Sequence, residues 1–425
     1  MKNKLTWVTL TLLIAVLASI ITFQLTYLSL HDRIREAENS LPQTGLTDSS
    51  ASADSELMQR IINKLTTLNT YYQGMYVHDI DEETLLNAVA DGYVYGTGDK
   101  YANYLSADEY KEFMLNNQGT LVGIGVNVIY DNLQGYLEVV TVMPGSPASE
   151  SGLQNGDLIY MVEGEYISAM GYYAAVNAIK GEEGTKVNIA ILRPVGSGEQ
   201  YEHIDLTMER RAVTIQSVMA RLYEKDPTIG IIRITEFDAE TPNQFFAELQ
   251  DLVAKGATRF VFDVRDNPGG ELNSILAVLD MLLPEGPLIR IVDRDGNEEV
   301  IDSTEIETIM EELNADYTVL VNGSTASAAE LFSSAIKDYQ KGTLVGVQTY
   351  GKGTMQSIFQ LGDGSAVTIS YRMYNPPYSD NYEGVGVEPD VVVEMADDVK
   401  NISLYKITDE QDTQLQKAIE ILNTK

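Results

Sequence analysis

The chain has 425 residues, 44% of them apolar and 22% charged, which is typical of a folded protein of more than one domain. The formal net charge of -34 argues against nucleic acid as a partner, since such binding depends on clustered lysine and arginine. Cysteine is absent, which excludes disulfides, thiolate nucleophiles and cysteine-based zinc sites, and the three histidines lie far apart at His31, His78 and His203.

The amino-terminal segment predicts a membrane anchor. Lys2 and Lys4 precede an apolar run over residues 5–28, which as a helix is about 36 Å long and can cross a bilayer. The positive-inside rule then places residues 1–4 in the cytoplasm and the rest of the protein outside. A weak signal-peptidase site at residues 15–18 lies inside the apolar run. We therefore predict an uncleaved, single-pass signal anchor in the cell membrane, with secretion after cleavage as the alternative.

A polar linker is expected over residues 29–54, because its Ser, Asp, Thr and Gly residues bury little surface. Leu41 to Gly45 spells LPQTG, which resembles a sortase sorting signal. Such a signal is normally followed by an apolar stretch and a basic tail near the carboxyl end, and neither follows it here. Chance occurrence in a linker is the favoured interpretation.

Residues 55–118 predict a helical entry segment. Apolar residues recur at helical spacing at Met58, Ile61, Ile62, Leu65 and Leu68. A second amphipathic helix is predicted over residues 83–95, and a capping box over residues 106–109 predicts a third. These helices are expected to pack in a core or to form a dimer contact.

From about residue 120 the pattern changes to β-branched alternation with turn signals. The stretches GIGVNV, VMPGSPASESGLQNGDLIYMVEGEYI and YYAAVNAIKGEEGTKVNIAILR resemble a PDZ domain over residues 119–210. By that resemblance Val122, Gly123, Ile124 and Gly125 form the loop whose N–H groups bind the terminal carboxylate of a peptide, and the following strand pairs with that peptide. The alternative is that these glycines only ease the entry into a strand.

The remainder predicts an α/β layer fold over residues 211–395, because strands such as RFVFDV and YTVLVN alternate with helices such as NQFFAELQDLVAKG. The tail, residues 396–425, predicts a helix that opens with a capping box over residues 408–411. One face of this helix carries Leu415, Ala418, Ile419 and Leu422. We expect it to pack back onto the core or to pair with another subunit.

Three motifs of the α/β part carry chemistry: FDVRDNPGG at residues 262–270, VNGSTASAAELF at residues 321–332 and VGVQTYGKGTMQ at residues 345–356. They resemble the motifs of the C-terminal processing peptidases, the PDZ-containing tail-specific proteases of family S41, and the resemblance extends over roughly residues 55–395. It implies an α/β spiral core of the ClpP/crotonase type. It also implies the site residues, which are Ser327 as nucleophile, Lys352 as general base, Gln356 as the residue that orients the lysine amine, and Gly269, Gly270 and Ala328 around the oxyanion hole.

Residue chemistry supports a serine–lysine pair independently of the family. A serine hydroxyl attacks poorly unless a neighbouring base takes its proton, and with histidine scarce a lysine is the remaining strong candidate. Activity near neutral pH requires burial to lower the lysine pKa from about 10.4 to near 7. Lys352 lies between two glycines with no carboxylate neighbour in sequence, and Gln356, four residues on in a strand, would face the same side. Two backbone donors are needed for the oxyanion, and the Pro268-Gly269-Gly270 turn can present one.

Each of these features has a plain structural alternative. Ser327 begins a capping box with Glu330, Lys352 could be a solvated loop lysine, and Gly269-Gly270 could be an ordinary strand-to-helix turn. Two departures from the family also stand out. Lys180 replaces an arginine that many relatives carry before the Gly-x-x-Gly-Thr turn, and the segment MYNPPYSDNYEGVG is less glycine-rich than in relatives.

We therefore predict a membrane-anchored, extracytoplasmic serine endopeptidase that cleaves unfolded or partly processed proteins near their carboxyl termini, with no metal or organic cofactor. Homodimerisation through the entry and terminal helices is a further expectation. Two other classes stay open: a catalytically inactive PDZ scaffold or chaperone that binds carboxyl-terminal tails, and a crotonase-type acyl transferase. The scaffold is disfavoured by the presence of all three catalytic residues, and the acyl transferase by the PDZ insertion.

Overall fold

The computed structural model describes residues 53–131, 134–195, 200–304, 310 and 315–424. The chain divides into two compact units, Met1–Ser106 with Ile358–Ile369, and Ala107–Ser357 with Ser370–Lys425. The predicted anchor at residues 5–28 and most of the predicted linker lie outside the described residues. Within those residues, no helix is both long enough and apolar enough to span a bilayer.

The first unit contains α1 (Ala53–Met75), α2 (Glu82–Gly96) and β1 (Tyr104–Leu105). These bounds confirm the two predicted helices. The Asp81 carboxylate caps α2 by accepting a hydrogen bond from Thr84 N–H at 2.7 Å. Apolar side chains of α1 remain exposed in the described chain, among them Leu57, Met58, Ile62, Leu65 and Leu68. The homodimer therefore stays a prediction.

The second unit begins with α3 (Ala107–Asn117), as the capping box predicted, and continues into a small antiparallel β-domain. The elements of this domain are β2 (Thr120–Gly123), β3 (Val126–Asp131), β4 (Tyr136–Val142), α4 (Pro147–Glu150), β5 (Leu158–Val162), β6 (Glu165–Tyr166), α5 (Ile167–Met170), α6 (Tyr172–Ile179), β7 (Lys186–Val195), β8 (Gln200–Glu209) and β9 (Arg211–Thr214). The strand order is β3-β4-β5-β7-β8, so β3 lies at one edge of this sheet, while β2 pairs separately with β9. Alternate residues of the strands bury a common core around Leu137, Ile159, Val187 and Ile191.

The rest of the second unit is the predicted α/β layer structure, although the end of β17 and the start of β18 lie in Ile358–Ile369 and so belong to the first unit. Its elements are β10 (Val218–Tyr223), β11 (Asp226–Ile234), α7 (Thr241–Ala254), β12 (Arg259–Asp263), α8 (Leu272–Asp280), β13 (Pro287–Val292), β14 (Glu298–Asp302), β15 (Asp316–Val321), α9 (Ala328–Asp338), β16 (Gly342–Gly346), β17 (Thr354–Gln360), β18 (Ala366–Asn375), β19 (Val391–Val392) and α10 (Thr413–Thr424). The main sheet has the order β10-β11-β12-β15-β16-β19 and is parallel except for the β10–β11 pair. In a smaller antiparallel sheet, β13 lies between β14 and β18.

Helices cover both faces of the main sheet. On β12, Phe262 contacts Phe245 of α7 and Phe332 of α9, with ring centroids 5.7 and 6.0 Å apart. The preceding residue, Val261, points to the opposite face and joins the cluster beneath α10. This alternation follows from the two-residue period of a strand and explains why the strand reads as a continuous apolar run.

The terminal helix α10 packs back onto the core, and its predicted apolar face is buried there. The helix begins at Thr413, so the predicted capping box at residues 408–411 is not its start. Asp412 caps it instead by accepting from Leu415 N–H at 3.0 Å. The same carboxylate binds the buried guanidinium of Arg265 at 2.8 Å, and Arg265 also binds Asp263 at 2.7 Å. Burial alone would raise the pKa of Asp263, but the Arg265 charge holds it below its usual value.

Candidate active site

Ser327 occupies a sharp turn between a strand and a helix. The strand β15 ends at Val321, and α9 begins at Ala328. Between them Ser327 adopts φ 55° and ψ -120°, a conformation that costs a residue with a side chain about 1–3 kcal/mol. Strained turns of this kind hold a nucleophilic serine at the tip of a strand, ahead of a helix amino terminus. An ordinary helix cap does not need this strained backbone conformation.

The carboxylate of Glu330 joins the Ser327 turn to the Lys352 segment. One oxygen accepts from the N–H of Ser327 at 2.9 Å and from the N–H of Lys352 at 2.8 Å. The other accepts from Gly351 N–H at 2.7 Å and from the Thr349 hydroxyl at 2.5 Å. The predicted capping box exists, but the fully buried Glu330 also fixes the lysine segment. Because one oxygen binds both backbones, the two N–H groups lie within two hydrogen-bond lengths of each other.

The amine of Lys352, two residues before β17, is directed toward that strand. Its Nζ donates to Oε1 of Gln356 at 2.6 Å, and both side chains are half-buried. The predicted same-face placement of these two residues is consistent with this contact. No carboxylate neighbours the lysine in sequence, but the fold brings two of them to the backbone of its segment. Glu330 binds the lysine's own N–H, and Glu383 accepts from Gly353 N–H at 2.8 Å.

Two buried tyrosines surround the serine and the lysine. The Tyr374 hydroxyl donates to the Lys352 carbonyl at 2.8 Å and lies 3.5 Å from Ser327 Oγ. The Tyr382 hydroxyl lies 3.4 Å from the Ser327 carbonyl, and the two tyrosine rings meet edge to face at 5.9 Å. Burial raises the pKa of both hydroxyls well above the ordinary value, so both remain protonated donors at neutral pH.

The glycine pair lies directly against the serine turn. A Cβ on Gly269 would come within 2.7 Å of Ser327 Cβ and within 2.9 Å of Ala328 N, so only glycine fits at its φ of 108°. The Gly269 N–H donates to Asn267 Oδ1 at 2.8 Å, which removes it as an oxyanion donor. Among the described residues, the N–H groups of Gly270 and Ala328 donate to no protein acceptor. Of the three predicted oxyanion-hole residues, Gly269 lets its segment pack closely against the serine turn, and Gly270 and Ala328 have N–H groups available to donate to an oxyanion.

The predicted carboxylate loop of the small β-domain leads from β2 into the edge strand β3. Val122 and Gly123 belong to β2, and Ile124 is buried. Gly125 has φ 79°, and a Cβ there would lie 2.3 Å from Ser146 Cβ. In the described chain, the N–H groups of Ile124 and Gly125 have no protein acceptor. These two N–H groups can therefore donate to an anion, next to the edge of the sheet formed by β3.

Sequence reasoning missed several residues of the site. Glu330 was identified only as a cap, and Tyr374, Tyr382 and Glu383 were not singled out. A fifth residue, Asn381, donates to the carbonyls of Gly353 at 2.9 Å and Tyr374 at 2.6 Å. Apart from Glu330, these residues belong to the MYNPPYSDNYEGVG segment. The departure of this segment from the family pattern was the sequence feature that could have pointed to them.

Fold and site together define a serine-type peptidase that carries a PDZ domain. The model of peptidase family S41 matches residues 228–393, and a PDZ-domain model matches residues 138–193. The carboxyl-terminal-processing protease of Synechocystis sp. is 31% identical over 325 residues, which cover 76% of this chain and 73% of that protein. The "Probable CtpA-like serine protease" of Staphylococcus aureus strain COL is 30% identical over 391 residues, 85% of this chain and 76% of that protein.

The chain therefore belongs to the carboxyl-terminal-processing proteases of peptidase family S41 and is a serine-type hydrolase. A solved S41 protease structure from Bacteroides fragilis shares the fold, with a TM-score of 0.55 and 20% identity over 83% of this chain and 94% of that chain. This membership excludes the acyl transferase and disfavours the inactive scaffold. A peptidase with a PDZ domain acts on protein substrates.

Proposed function

We propose that the protein cleaves extracytoplasmic proteins near their carboxyl termini, with Ser327 as nucleophile, Lys352 as general base and Gln356 as the residue that orients the lysine amine. The observation that carries this proposal is the Glu330 carboxylate, which binds the backbone of the serine and of the lysine through one oxygen. An amine held by Gln356 at 2.6 Å is the second support. Such shared anchoring holds the backbone segments of Ser327 and Lys352 next to each other, as a serine–lysine pair requires.

In the proposed reaction, the Ser327 hydroxyl attacks the carbonyl carbon of the scissile bond while its proton passes to the neutral amine of Lys352. The N–H groups of Gly270 and Ala328 stabilise the resulting oxyanion, each by about 3 kcal/mol. The lysine ammonium then gives its proton to the leaving amine, and an acyl-enzyme forms on Ser327. Water, deprotonated by the same lysine, releases the new carboxyl terminus and restores the serine.

Substrate recognition is assigned to the PDZ domain. The terminal carboxylate would bind at Val122–Gly125, and the preceding residues would pair with the edge strand β3. The N–H groups of Ile124 and Gly125, which donate to no acceptor in the described chain, support this assignment. The proposal also includes a membrane anchor at residues 5–28 with the catalytic body outside, and a homodimer formed through the exposed stripe of α1. The single-pass anchor would place the catalytic body on the same side of the membrane as the proposed extracytoplasmic substrates.

The test uses the full chain in non-ionic detergent with an unfolded protein as substrate, and fragments are identified by mass spectrometry. Ser327→Ala and Lys352→Ala should each abolish cleavage, whereas Ser324→Ala, on the same loop but exposed, should retain it. Unchanged turnover in Ser327→Ala would contradict the assigned nucleophile. Cleavage of a substrate whose carboxyl terminus is amidated, at the rate of the free acid, would contradict the PDZ assignment while leaving the catalytic one intact.

A further inference from the structure

An exposed ion pair lies beside the proposed carboxylate loop. Strand β9 pairs with β2 so that Arg211 is directly opposite Gly123. The Arg211 guanidinium binds the Glu150 carboxylate at 2.8 Å, and its Nη2 lies 3.5 Å from the Gly145 carbonyl oxygen. The two side chains are 41% and 60% exposed. Both partners can therefore move without disturbing the core.

Glu150 reaches Arg211 from a helix that is attached to the loop itself. The first turn of α4 holds the loop through two hydrogen bonds, from Ala148 N–H to the Ile124 carbonyl at 2.9 Å and from the Ser146 hydroxyl to the Gly125 carbonyl at 3.3 Å. Gly145 precedes this turn directly. The guanidinium thus lies beside the segment whose N–H groups have no acceptor in the described chain.

Two other cations of this domain, Arg210 and Lys180, have partners of their own. Arg210 is buried and donates to the carbonyls of Ala178, Ile179 and Lys186. Lys180 forms an ion pair with Glu112 of α3. In a chain with a net charge of -34, an incoming carboxylate meets general repulsion, so a local cation has a large influence on its binding.

We propose that Arg211 is the cation that receives the terminal carboxylate of the substrate, and that Glu150 is an internal carboxylate that occupies Arg211 until the substrate displaces it. Exposed ion pairs are weak, so the exchange of one carboxylate for another costs little. This exchange of carboxylates on Arg211 makes substrate recognition depend on a free carboxyl terminus and sets the affinity of the PDZ domain for the substrate. This inference rests on the proposed carboxylate-binding role of the PDZ domain.

The experiment measures the Kd of a fluorescein-labelled alanine-rich hexapeptide ending in valine, as free acid and as amide. The protein is the full chain carrying Ser327→Ala, at low salt. Arg211→Gln should weaken binding of the free acid by about tenfold, and Glu150→Gln should tighten it by about threefold. Neither variant should change binding of the amide. Glu165→Gln, an exposed control on β6 with the same change in charge, should leave both values unchanged.

The double variant separates displacement from simple repulsion. If Glu150 acts by occupying Arg211, then Glu150→Gln has no effect once Arg211→Gln is present. A threefold gain that persists in the double variant would overturn the exchange, because it would show that Glu150 only repels the carboxylate. The effects of both single variants should shrink between 0.05 and 0.5 M salt, at roughly the concentrations where the Debye length falls to a few ångströms.

Two further outcomes distinguish this inference from the proposed function. If the parent chain prefers the free acid over the amide but Arg211→Gln and Arg211→Lys bind like the parent, the inference about Arg211 is refuted and the PDZ assignment stands. If the parent chain binds acid and amide equally, both the PDZ assignment and this inference are refuted. In neither case is the catalytic assignment affected, since no cleavage is measured.

Discussion

Replacing Glu330 with glutamine tests whether one buried carboxylate holds nucleophile and base together. The carboxylate accepts four hydrogen bonds, two on each oxygen, from N–H or hydroxyl donors. Glutamine retains one acceptor oxygen and places an NH2 group where the other oxygen stood. If the NH2 group faces Ser327 and Lys352, two N–H donors face a donor; if it faces Gly351 and Thr349, only the Gly351 N–H does, because the Thr349 hydroxyl can turn and accept.

The size of the effect follows from these contacts. Hydrogen bonds to a charged acceptor contribute about 1.5–3 kcal/mol each, so the loss of two, at Ser327 and Lys352, predicts about 3–6 kcal/mol, shared between folding and catalysis. If the oxygen stays with Thr349 and Gly351, the mismatch falls on the N–H groups of Ser327 and Lys352. We then expect kcat to fall by at least about a thousandfold, with KM for a carboxyl-terminal peptide nearly unchanged.

The assay is steady-state hydrolysis of an internally quenched peptide with a free carboxyl terminus, with urea unfolding measured in parallel. Glu388→Gln is the matched control, because Glu388 is exposed and its removal changes the net charge equally. Glu330→Asp keeps the charge but shortens the reach, so it should be intermediate. A folded Glu330→Gln variant with kcat within threefold of the parent would refute the reasoning.

Three further predictions follow from the buried groups. Tyr374→Phe removes the donor to the Lys352 carbonyl, and we expect kcat to fall about tenfold with little change in the unfolding free energy. Steady-state kinetics and urea titration measure the two quantities. An unchanged kcat would contradict a positioning role for Tyr374. Arg265→Met leaves the buried carboxylates of Asp263 and Asp412 without their cation and should lower the unfolding free energy by about 3–5 kcal/mol. A loss below about 1 kcal/mol would contradict the stabilising role of these ion pairs. Burial, and then the charge of Asp238, raises the pKa of Glu236, so the folded state holds this proton longer than the unfolded state and stability decreases as pH rises through the folded pKa. Glu236→Gln should therefore stabilise the protein at pH 7 but not at pH 4, and equal effects at both pH values would refute the assignment.

The sequence determined most of the helices and strands of this protein and predicted its reactive residues. Helical spacing predicted α1 and α2, and the alternation of apolar strands with helices predicted the layered core. The motifs around Ser327, Lys352 and Gly269-Gly270 predicted the candidate site, and the catalytic roles of these residues stay predictions. These signals are local, since each depends on residues within a few positions of one another, whose spacing is fixed by helix or strand geometry.

Only the tertiary structure decided which groups serve these residues. Glu330 binds Lys352 N–H across 22 positions, and Arg265 meets Asp412 across 147. The Gly269 N–H proved to be taken by Asn267, although the sequence offered it as an oxyanion donor. A hydrogen bond is directional and spans about 3 Å, so its partner depends on where the whole fold brings each segment, which local residue patterns do not encode.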